Sequence, residues 1–511
     1  MGRVGTHQRR GRLSGAAGVP ALVFLLLACG GKRPAHGDGA AGSTGNSTGS
    51  GTAGGSGAGL GGAGSQMAAA GAGGAGMAGR TGVAGGGGVP PWADPPDGGV
   101  ACKNLECRQS TCKYGQCIQW PCPPGTFTTL TGKVFDPAGK VPLYNVNVFV
   151  PNIQAEPLTD GPGCDKCGAA LVGEPVVQTK TAADGSFTLG DAVADMPSGL
   201  NVPLVIQVGK WRREVTVPNV IACTDNLITD ANITRLPRNH SEGHMPRIAV
   251  TTGGADALEC LLRKIGVADS EFTPESGAGR VNMFAGTMGT SSFAPALGGA
   301  AFTPVEPWWD NVQNLKKYDI ILHSCDGIEN ATNKSPAAMQ ALKDFADAGG
   351  RVFASHWHGD WLQKGPTPWP GIAVFNHQLD LPHEHPVKID TSFEKGKALA
   401  DWLDKIGGSS MYGGLIIRGG KHTIDAVGTA RRWIYSEDPA SVQYLEALTP
   451  IGGAACGRVV LSDIHVTSGL GFGDGDSSSP SKPFPTGCIT TDLTAQEKAL
   501  VFMLFDLSSC T

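Results

Sequence analysis

Apolar and polar residues alternate along the stretch that begins at Thr126. Val146 and Val148 occupy alternate positions, and turn sequences such as Asp184-Gly185 separate the strand-forming segments. Successive side chains of a strand point to opposite faces, so this period predicts strands with one buried face. Short strands separated by turns at about ten-residue spacing predict a β-sandwich over residues 126–237.

Three groups of residues in these strands and turns form a recognisable pattern. They are Gly132, Asp136 and Gly139, then Val146 and Val148, then Thr181, Asp184, Gly185 and Phe187. In this order they resemble the carboxypeptidase regulatory-like family, whose fold is a transthyretin-like sandwich. The resemblance implies a non-catalytic spacer or binding module. The insert from Asn152 to Pro175 departs from the family's pattern.

From Arg247 onward, apolar strands alternate with segments of helical spacing. Ser335 and Pro336 predict the capped start of a helix, and two capping boxes, Thr391 with Glu394 and Thr494 with Glu497, predict two later helices. The predicted strands include residues 247–252, 319–322, 351–354, 432–435, 445–448 and 459–461. This alternation predicts a three-layer, flavodoxin-like α/β domain over residues 246–511 with a largely parallel sheet.

Residues 318–322, 348–353 and 456–465 carry a second resemblance, to the class I glutamine amidotransferase-like fold and its ThuA-like branch. An amidotransferase of this class places a cysteine on the turn after the strand that begins here at Arg351. In this chain the turn reads Ala-Ser-His-Trp-His over residues 354–358, so glutaminase activity is not implied.

Histidine-bearing tracts follow three of the predicted strands, and ligands bind beyond the carboxyl ends of the strands in such sheets. A further histidine cluster comprises His377 and His383-Glu384-His385. The residues expected to contact a ligand are His323, Asp326, Ser355, Trp357 and His465.

A metal site is a sharper hypothesis for the same tracts. His356, His358, Asp360 and His465 could coordinate zinc, because three nitrogen or oxygen ligands plus a water suit zinc hydrolysis. Serine chemistry with a histidine base is an alternative, and the catalytic candidates are Ser355, His356 and Asp463. A third interpretation is that these side chains order the loops by hydrogen bonding and hold no metal.

The N-terminus has the pattern of an export signal. Arginines precede a short apolar run that ends in Leu26-Leu27-Ala28-Cys29, which resembles a bacterial lipobox. The resemblance implies a signal peptide over residues 1–28, lipidation of Cys29 and, because Gly30 follows, an outer-membrane or cell-surface location. An ordinary cleaved signal peptide is the alternative. Residues 29–98 are rich in Gly, Ala and Ser and predict a disordered tether.

Outside the cytoplasm, cysteines are expected to form disulfides. Cys102, Cys107, Cys112, Cys117 and Cys122 recur every five residues and predict a small stapled segment over residues 99–125, with a zinc site as the alternative. Cys164 and Cys167 predict a local bridge. An odd number of cysteines remains after Cys29, and Cys325 is the candidate free thiol.

The net charge and the aromatic residues indicate which classes of molecule the chain could bind. The chain has a net charge of −5; without the four arginines of residues 1–28, 36 basic residues face 45 acidic ones, a net charge of −9 that disfavours nucleic acid. Exposed aromatic side chains could stack sugar rings, although core filling is an equal alternative. The aromatic residues concerned are Trp308, Trp309, Trp357, Trp361, Trp369 and Tyr412.

The favoured hypothesis is a membrane-anchored surface protein that binds a ligand, for example a saccharide or a surface polymer, without catalysis. The alternative is a secreted metal-dependent hydrolase. The layout also resembles myxobacterial proteins of which some are labelled tryptophan synthase alpha chain. That label implies a cytoplasmic TIM barrel, which the export signal and the predicted sandwich do not support.

Overall fold

The computed structural model describes Leu105 and residues 122–193, 196–378, 380–466 and 478–511, except for the side chains of residues 377 and 378. The predictions for Cys29, for the tether, for His377 and for Cys102, Cys107, Cys112 and Cys117 lie outside this part of the chain. Within it, no helix is long and apolar enough to cross a membrane.

Two small sheets form the first part of the described chain. One has the strand order β4-β1-β7 and the other β3-β2-β5-β6. Their elements are β1 (Thr129–Lys133), β2 (Asn147–Pro151), β3 (Pro175–Lys180), β4 (Ser186–Leu189), β5 (Gly199–Val208), β6 (Trp211–Val220), β7 (Asp225–Leu227) and α1 (Ala231–Thr234). Leu130 of one sheet and Val148 and Leu204 of the other are fully buried in one hydrophobic cluster, so the predicted alternation produces a shared core.

A large mixed sheet forms the second part, with the order β11-β10-β8-β12-β13-β20-β19-β18-β15-β16 and β9 beside β10; β14 and β17 pair separately. The strands are β8 (Ile248–Thr251), β9 (Phe272–Thr273), β10 (Val281–Ala285), β11 (Thr303–Pro304), β12 (Ile320–His323), β13 (Arg351–Ser355), β14 (Ala373–Gln378), β15 (Glu384–Ile389), β16 (Gly414–Arg418), β17 (His422–Val427), β18 (Arg431–Glu437), β19 (Ala440–Thr449) and β20 (Gly457–Ser462).

The prediction of a largely parallel sheet holds for seven of the eleven strands, and four strands depart from it. The strands from β11 to β20 in this order are parallel, whereas β19, β18, β15 and β16 pair antiparallel. The reason lies in the connections. Only residues 438 and 439 join β18 to β19, and a parallel pair needs a crossover of about a dozen residues or more.

Helices connect and cover the large sheet. They are α2 (Leu258–Lys264), α3 (Val305–Trp308), α4 (Val312–Leu315), α5 (Pro336–Asp347), α6 (Asp360–Gln363), α7 (Glu394–Lys405) and α8 (Ala495–Ser508). Ser335 caps α5, and Thr494 with Glu497 forms a capping box on α8, as predicted. The capping box predicted at Thr391 is wrong, because α7 begins after Phe393 and has no side-chain cap.

The disulfides run between distant parts of the chain. Cys164 pairs with Cys456 and Cys167 pairs with Cys510, so the predicted local bridge between Cys164 and Cys167 is wrong. The insert that carries them lies against the start of β20 and the last residues of the chain.

Cys122 also pairs far away, with Cys223, 101 residues along the chain, and not within the predicted stapled segment. Cys260 pairs with Cys488. Among the described cysteines, Cys325 is the free thiol, as predicted, and it is fully buried.

The two small sheets and the large sheet are in direct contact. The Trp402 indole Nε1 donates to the Pro142 carbonyl at 2.7 Å. The Lys210 ammonium lies 2.6 Å from Oδ1 of Asp319, and both side chains are largely buried. These contacts place the loop after β1 beside α7 and the β5–β6 turn beside β12.

Candidate metal centre at the strand ends

The candidate site lies at one edge of the large sheet, where β12, β13 and β20 end. These strands are neighbours and parallel, and His323 of β12 is level with Ala354 of β13. Ser355 is in turn level with Ser462 of β20. The residues that follow each strand therefore meet at the same edge, which is where ligands bind in such sheets.

Three side chains at this edge point toward one another. The ligand atoms of Cys325, His356 and His465, one from each residue, all lie within 4.8 Å of one another. The Cys325 sulfur is 3.3 Å from Nδ1 of His356, and the imidazole rings of His356 and His465 are perpendicular, 5.3 Å apart between centroids. Two ligand atoms of one tetrahedral zinc lie roughly 3.5 Å apart, so the spacing of thiol and imidazole fits a common ion.

The backbone at His356 is strained. Its φ is +40°, a left-handed conformation that residues other than glycine rarely adopt. The residue comes directly after β13, so the chain turns sharply where the strand ends. Strained backbone of this kind clusters at functional sites, because it persists only where the surrounding structure holds it.

Burial controls the protonation of the three groups. It lowers the pKa of His356 and, more moderately, that of His465, so both imidazoles are neutral. Burial also raises the pKa of Cys325 to about 12, although the backbone amides of Trp357 and Gly327 act in the opposite direction. Neutral imidazoles can coordinate a metal, and a bound cation would deprotonate the thiol.

The Nε2 atom of His465 is available to coordinate a metal. Its Nδ1 lies 3.4 Å from the Gly419 carbonyl, which can accept only if Nδ1 carries the proton. Its Nε2 is buried and has no hydrogen-bond partner among the described residues. A metal ligand of this type commonly donates its other ring nitrogen to a carbonyl, which fixes the tautomer.

The Ser355 hydroxyl is hydrogen-bonded to a carboxylate. Its hydroxyl donates to Oδ2 of Asp256 at 2.6 Å, and Oδ1 of Asp256 accepts from the Ala257 and Val466 amides. Burial raises the pKa of Asp256, and the neighbouring His465 opposes that rise. Asp256 was absent from the residues selected in the sequence; its position shortly after β8 is the signal that could have identified it.

His358 and Asp360, two of the predicted metal ligands, contact residues outside the three-residue group. His358 Nδ1 accepts from the Trp361 indole at 3.0 Å, and its Nε2 is 3.5 Å from Oδ1 of Asp326. Asp360 forms an ion pair with Lys364 at 2.7 Å. The group that could share one ion therefore contains Cys325 in place of these two residues.

Asp326 and Lys334 form a fully buried ion pair beside His358. The Lys334 ammonium lies 3.2 Å from Oδ2 of Asp326 and donates to the Asn330 carbonyl. His358 and Lys334 hold the pKa of Asp326 below its usual value despite the opposing effect of burial. The predicted ligand contact Asp326 is thus occupied within the chain.

His323, another predicted ligand contact, stacks on His358 with 4.9 Å between ring centroids. Its Nδ1 is 3.0 Å from the Thr251 hydroxyl, and its buried Nε2 has no hydrogen-bond partner among the described residues. Burial lowers the pKa of His323 well below its usual value, so the ring is neutral.

Asp463, a predicted catalytic residue, accepts from the Thr423 hydroxyl at 2.7 Å and from the Thr423 amide at 2.8 Å. Burial raises its pKa to about 6. Of the other predicted histidines, His385 contacts the Ser436 hydroxyl at 2.7 Å, away from the three-residue group.

Most of the aromatic side chains considered for sugar stacking fill the core. Trp308, Trp309, Trp361 and Trp369 are at most 3% exposed. Trp357 is half-buried next to His356, and Tyr412 is exposed but donates to Asp401 on α7. Trp357 is therefore the aromatic residue that remains for contact with a ligand at this site.

Comparisons with known proteins leave the family open. No protein-family model matches the chain, and no curated protein matches it. Among solved structures, it is similar to a ThuA-like protein from Bacteroides uniformis at 10% sequence identity, with a TM-score of 0.27, over 51% of this chain and 90% of that one. A TM-score this low does not decide the fold.

Proposed function

We propose that this chain is a membrane-anchored extracytoplasmic protein whose α/β part binds a transition metal through Cys325, His356 and His465. The observation that carries the proposal is the convergence of these three ligand atoms within 4.8 Å at the ends of adjacent parallel strands. One thiolate and two imidazoles form a ligand set that suits zinc.

The finer fold assignment belongs to the same proposal. The small sheets would be a transthyretin-like sandwich of the carboxypeptidase regulatory-like type, acting as a spacer. The large sheet and its helices would be a glutamine amidotransferase-like domain of the ThuA-like branch. The parallel order β10-β8-β12-β13-β20 supports this assignment, because a doubly wound fold has such a sheet at its centre.

The metal proposal is tested by titrating the full-length chain, purified in detergent, with Zn²⁺ after chelator treatment. We expect one ion per chain, and no binding by Cys325→Ser or His465→Asn. His422→Asn is the matched control, since His422 is a largely buried histidine that bonds to Asp425. Zinc binding that survives in Cys325→Ser would refute the site.

Metal-dependent hydrolysis is the second candidate function. Three protein ligands leave a fourth position for a water, whose pKa a zinc ion would lower toward neutrality. Here the chain's own residues would position the ion, and Trp357, half-buried beside His356, would contact a substrate. We expect chelator-sensitive hydrolysis of activated esters if this candidate is right. Full zinc occupancy without turnover would leave a binding role.

A thiol nucleophile is less well supported. The short distance from Cys325 to His356 favours it, but a buried thiol with a pKa of about 12 is not a thiolate at neutral pH. A serine nucleophile at Ser355 lacks a histidine base, because its hydroxyl donates to Asp256. Iodoacetamide separates the possibilities, since a catalytic thiol would be alkylated rapidly in metal-free protein.

Location is part of the proposal and has its own test. The resemblance of residues 26–29 to a lipobox supports a lipid anchor at Cys29. We expect Cys29→Ser to move the protein from the membrane fraction to the soluble fraction. Retention of that variant in membranes would contradict the anchor. A glycan array with Trp357→Ala as the comparison tests whether the ligand is a saccharide.

A further inference from the structure

A cleft at the C-terminal end of α2 belongs to none of the sites described so far. Its volume is about 380 Å³, and it lies between the loop after β1, the ends of α2 and α7, and residues 489–493. Pockets where separate sheets meet are common places for small ligands, and this volume falls in the usual range. We call it the basic cleft.

Both apolar and positively charged side chains line the basic cleft. Val141, Pro142, Ile406, Ile489 and Leu493 supply the apolar surface. Four cations line it against two carboxylates. The cations are Lys140, Arg263, Lys264 and Lys498, and the carboxylates are Asp136 and Asp492.

The partners of the basic residues show which charges remain for a ligand. Lys264 forms a buried ion pair with Glu497 at 2.8 Å, so its charge is already neutralised. Lys498 donates only to the carbonyls of Ile406 and Gly407, and among the described residues it has no carboxylate partner. Arg263 pairs through Nε and Nη2 with Asp269, which leaves Nη1 for another acceptor.

Of the two carboxylates, only Asp492 competes with an anionic ligand for a lysine of the cleft. Oδ1 of Asp136 accepts from the Lys140 and Val141 amides, and the residue is 1% exposed. Asp492 lies 3.4 Å from the Lys140 ammonium, and the two side chains are 92% and 68% exposed. Such exposed pairs contribute little to stability, so an incoming anion can displace the carboxylate of Asp492.

We infer that the basic cleft binds a small organic anion, a compound with a phosphate or carboxylate group attached to an apolar body. Lys140, Lys498 and the free nitrogen of Arg263 would hold the anionic group, with the Asp492 carboxylate displaced from Lys140. The apolar lining residues would contact the body of the ligand. This site is separate from the strand-end histidines, so the inference does not depend on the metal.

The probe is phenyl phosphate, titrated calorimetrically into the full-length chain in detergent at about 0.1 M salt, where exposed charges still act over roughly 10 Å. Phenol is the neutral comparison. We expect phenyl phosphate to bind and phenol not to bind. Lys140→Gln should weaken binding about tenfold, a change of about 1.4 kcal/mol, because one of the charged contacts to the phosphate is lost.

The sharper variant is Asp492→Asn, which removes the competing carboxylate and should tighten binding several-fold. Lys388→Gln and Glu437→Gln are the matched controls, since Lys388 and Glu437 form an exposed ion pair on the large sheet. They make the same changes of net charge and should leave the affinity unchanged. The inference is overturned if phenyl phosphate does not bind, if phenol binds equally, or if Asp492→Asn and Glu437→Gln have the same effect.

Discussion

The thiol of Cys325 lies 3.3 Å from Nδ1 of His356, across the ends of the neighbouring strands β12 and β13. The two residues are 31 positions apart in the chain, and the parallel register of the strands brings them together. Neither group has a charge at neutral pH, because burial raises the pKa of the thiol and lowers that of the imidazole. A divalent cation bound at this site would deprotonate the thiol.

Zinc should stabilise the chain through this pair. At a free zinc concentration of 100 times Kd, the free energy of unfolding should rise by about 2.7 kcal/mol, because the ion binds the folded state only. Urea unfolding with and without zinc measures the rise. In Cys325→Ser the rise should vanish, while His422→Asn should retain it.

The buried ion pair of Lys334 and Asp326 should be costly to break. Lys334→Met leaves the Asp326 carboxylate buried without its ammonium, which should lower the free energy of unfolding by about 3–5 kcal/mol. Lys388→Met, which breaks an exposed pair, should leave the free energy of unfolding nearly unchanged. Equal effects of the two substitutions would show that the Lys334 pair contributes no more than a surface contact.

Glu259 should make stability depend on pH. The side chain is fully buried and its Oε2 has no hydrogen-bond partner among the described residues. Burial raises its pKa to about 8, well above its usual value of 4.5. The folded state therefore holds a proton that the unfolded state releases between these two pH values, and stability falls as pH rises through that window.

The substitution Glu259→Gln should remove this dependence. At pH 4 it should have little effect on the free energy of unfolding, and at pH 8 it should raise it by up to about 4 kcal/mol, at 1.36 kcal/mol per pKa unit. Chemical denaturation from pH 4 to pH 9 checks the prediction. Parallel curves for the two proteins would mean that Glu259 titrates normally in the folded chain.

Disulfide mapping gives a direct test of the cysteine pairing. A digest made without reduction should contain Cys164 linked to Cys456 and Cys167 linked to Cys510. Cys164→Ser should lower the free energy of unfolding by about 2–5 kcal/mol. Cys325→Ser should leave all disulfide-linked peptides unchanged. A peptide that links Cys164 to Cys167 would contradict the structure.

Local signals in the sequence predicted the helix boundaries well where contacts between neighbouring residues determine them. Ser335 and Thr494 cap their helices as expected, because each cap bonds to a backbone amide three residues away. At Thr391 the local signal failed. Phe393 packs on Trp433 with 5.0 Å between ring centroids, and α7 begins directly after it. The Phe393 ring is thus packed against β18 at the position directly before the helix.

The candidate site was predicted in part for the same reason. The strand-end histidines were visible because each follows a recognisable apolar strand. The sequence did not show which of these histidines form the site, since that depends on which rings converge after the sheet forms. His358 points to Asp326, whereas Cys325, treated as a spare thiol, faces His356. Long-range pairing also explains the misassigned cysteines, because spacing in the sequence favours a partner three residues away over one 292 residues away.

The bond between Cys167 and Cys510 has a consequence for biosynthesis. Its two halves are separated by 343 residues. During synthesis from the N-terminus, Cys167 must stay unpaired until nearly all of the described chain has emerged, while Cys223 and Cys260 become available earlier. An oxidant acting early would trap the wrong partners, and only exchange of disulfides would release them. We therefore expect the yield of correctly paired protein in a recombinant host to depend on disulfide isomerase activity more than on oxidising power.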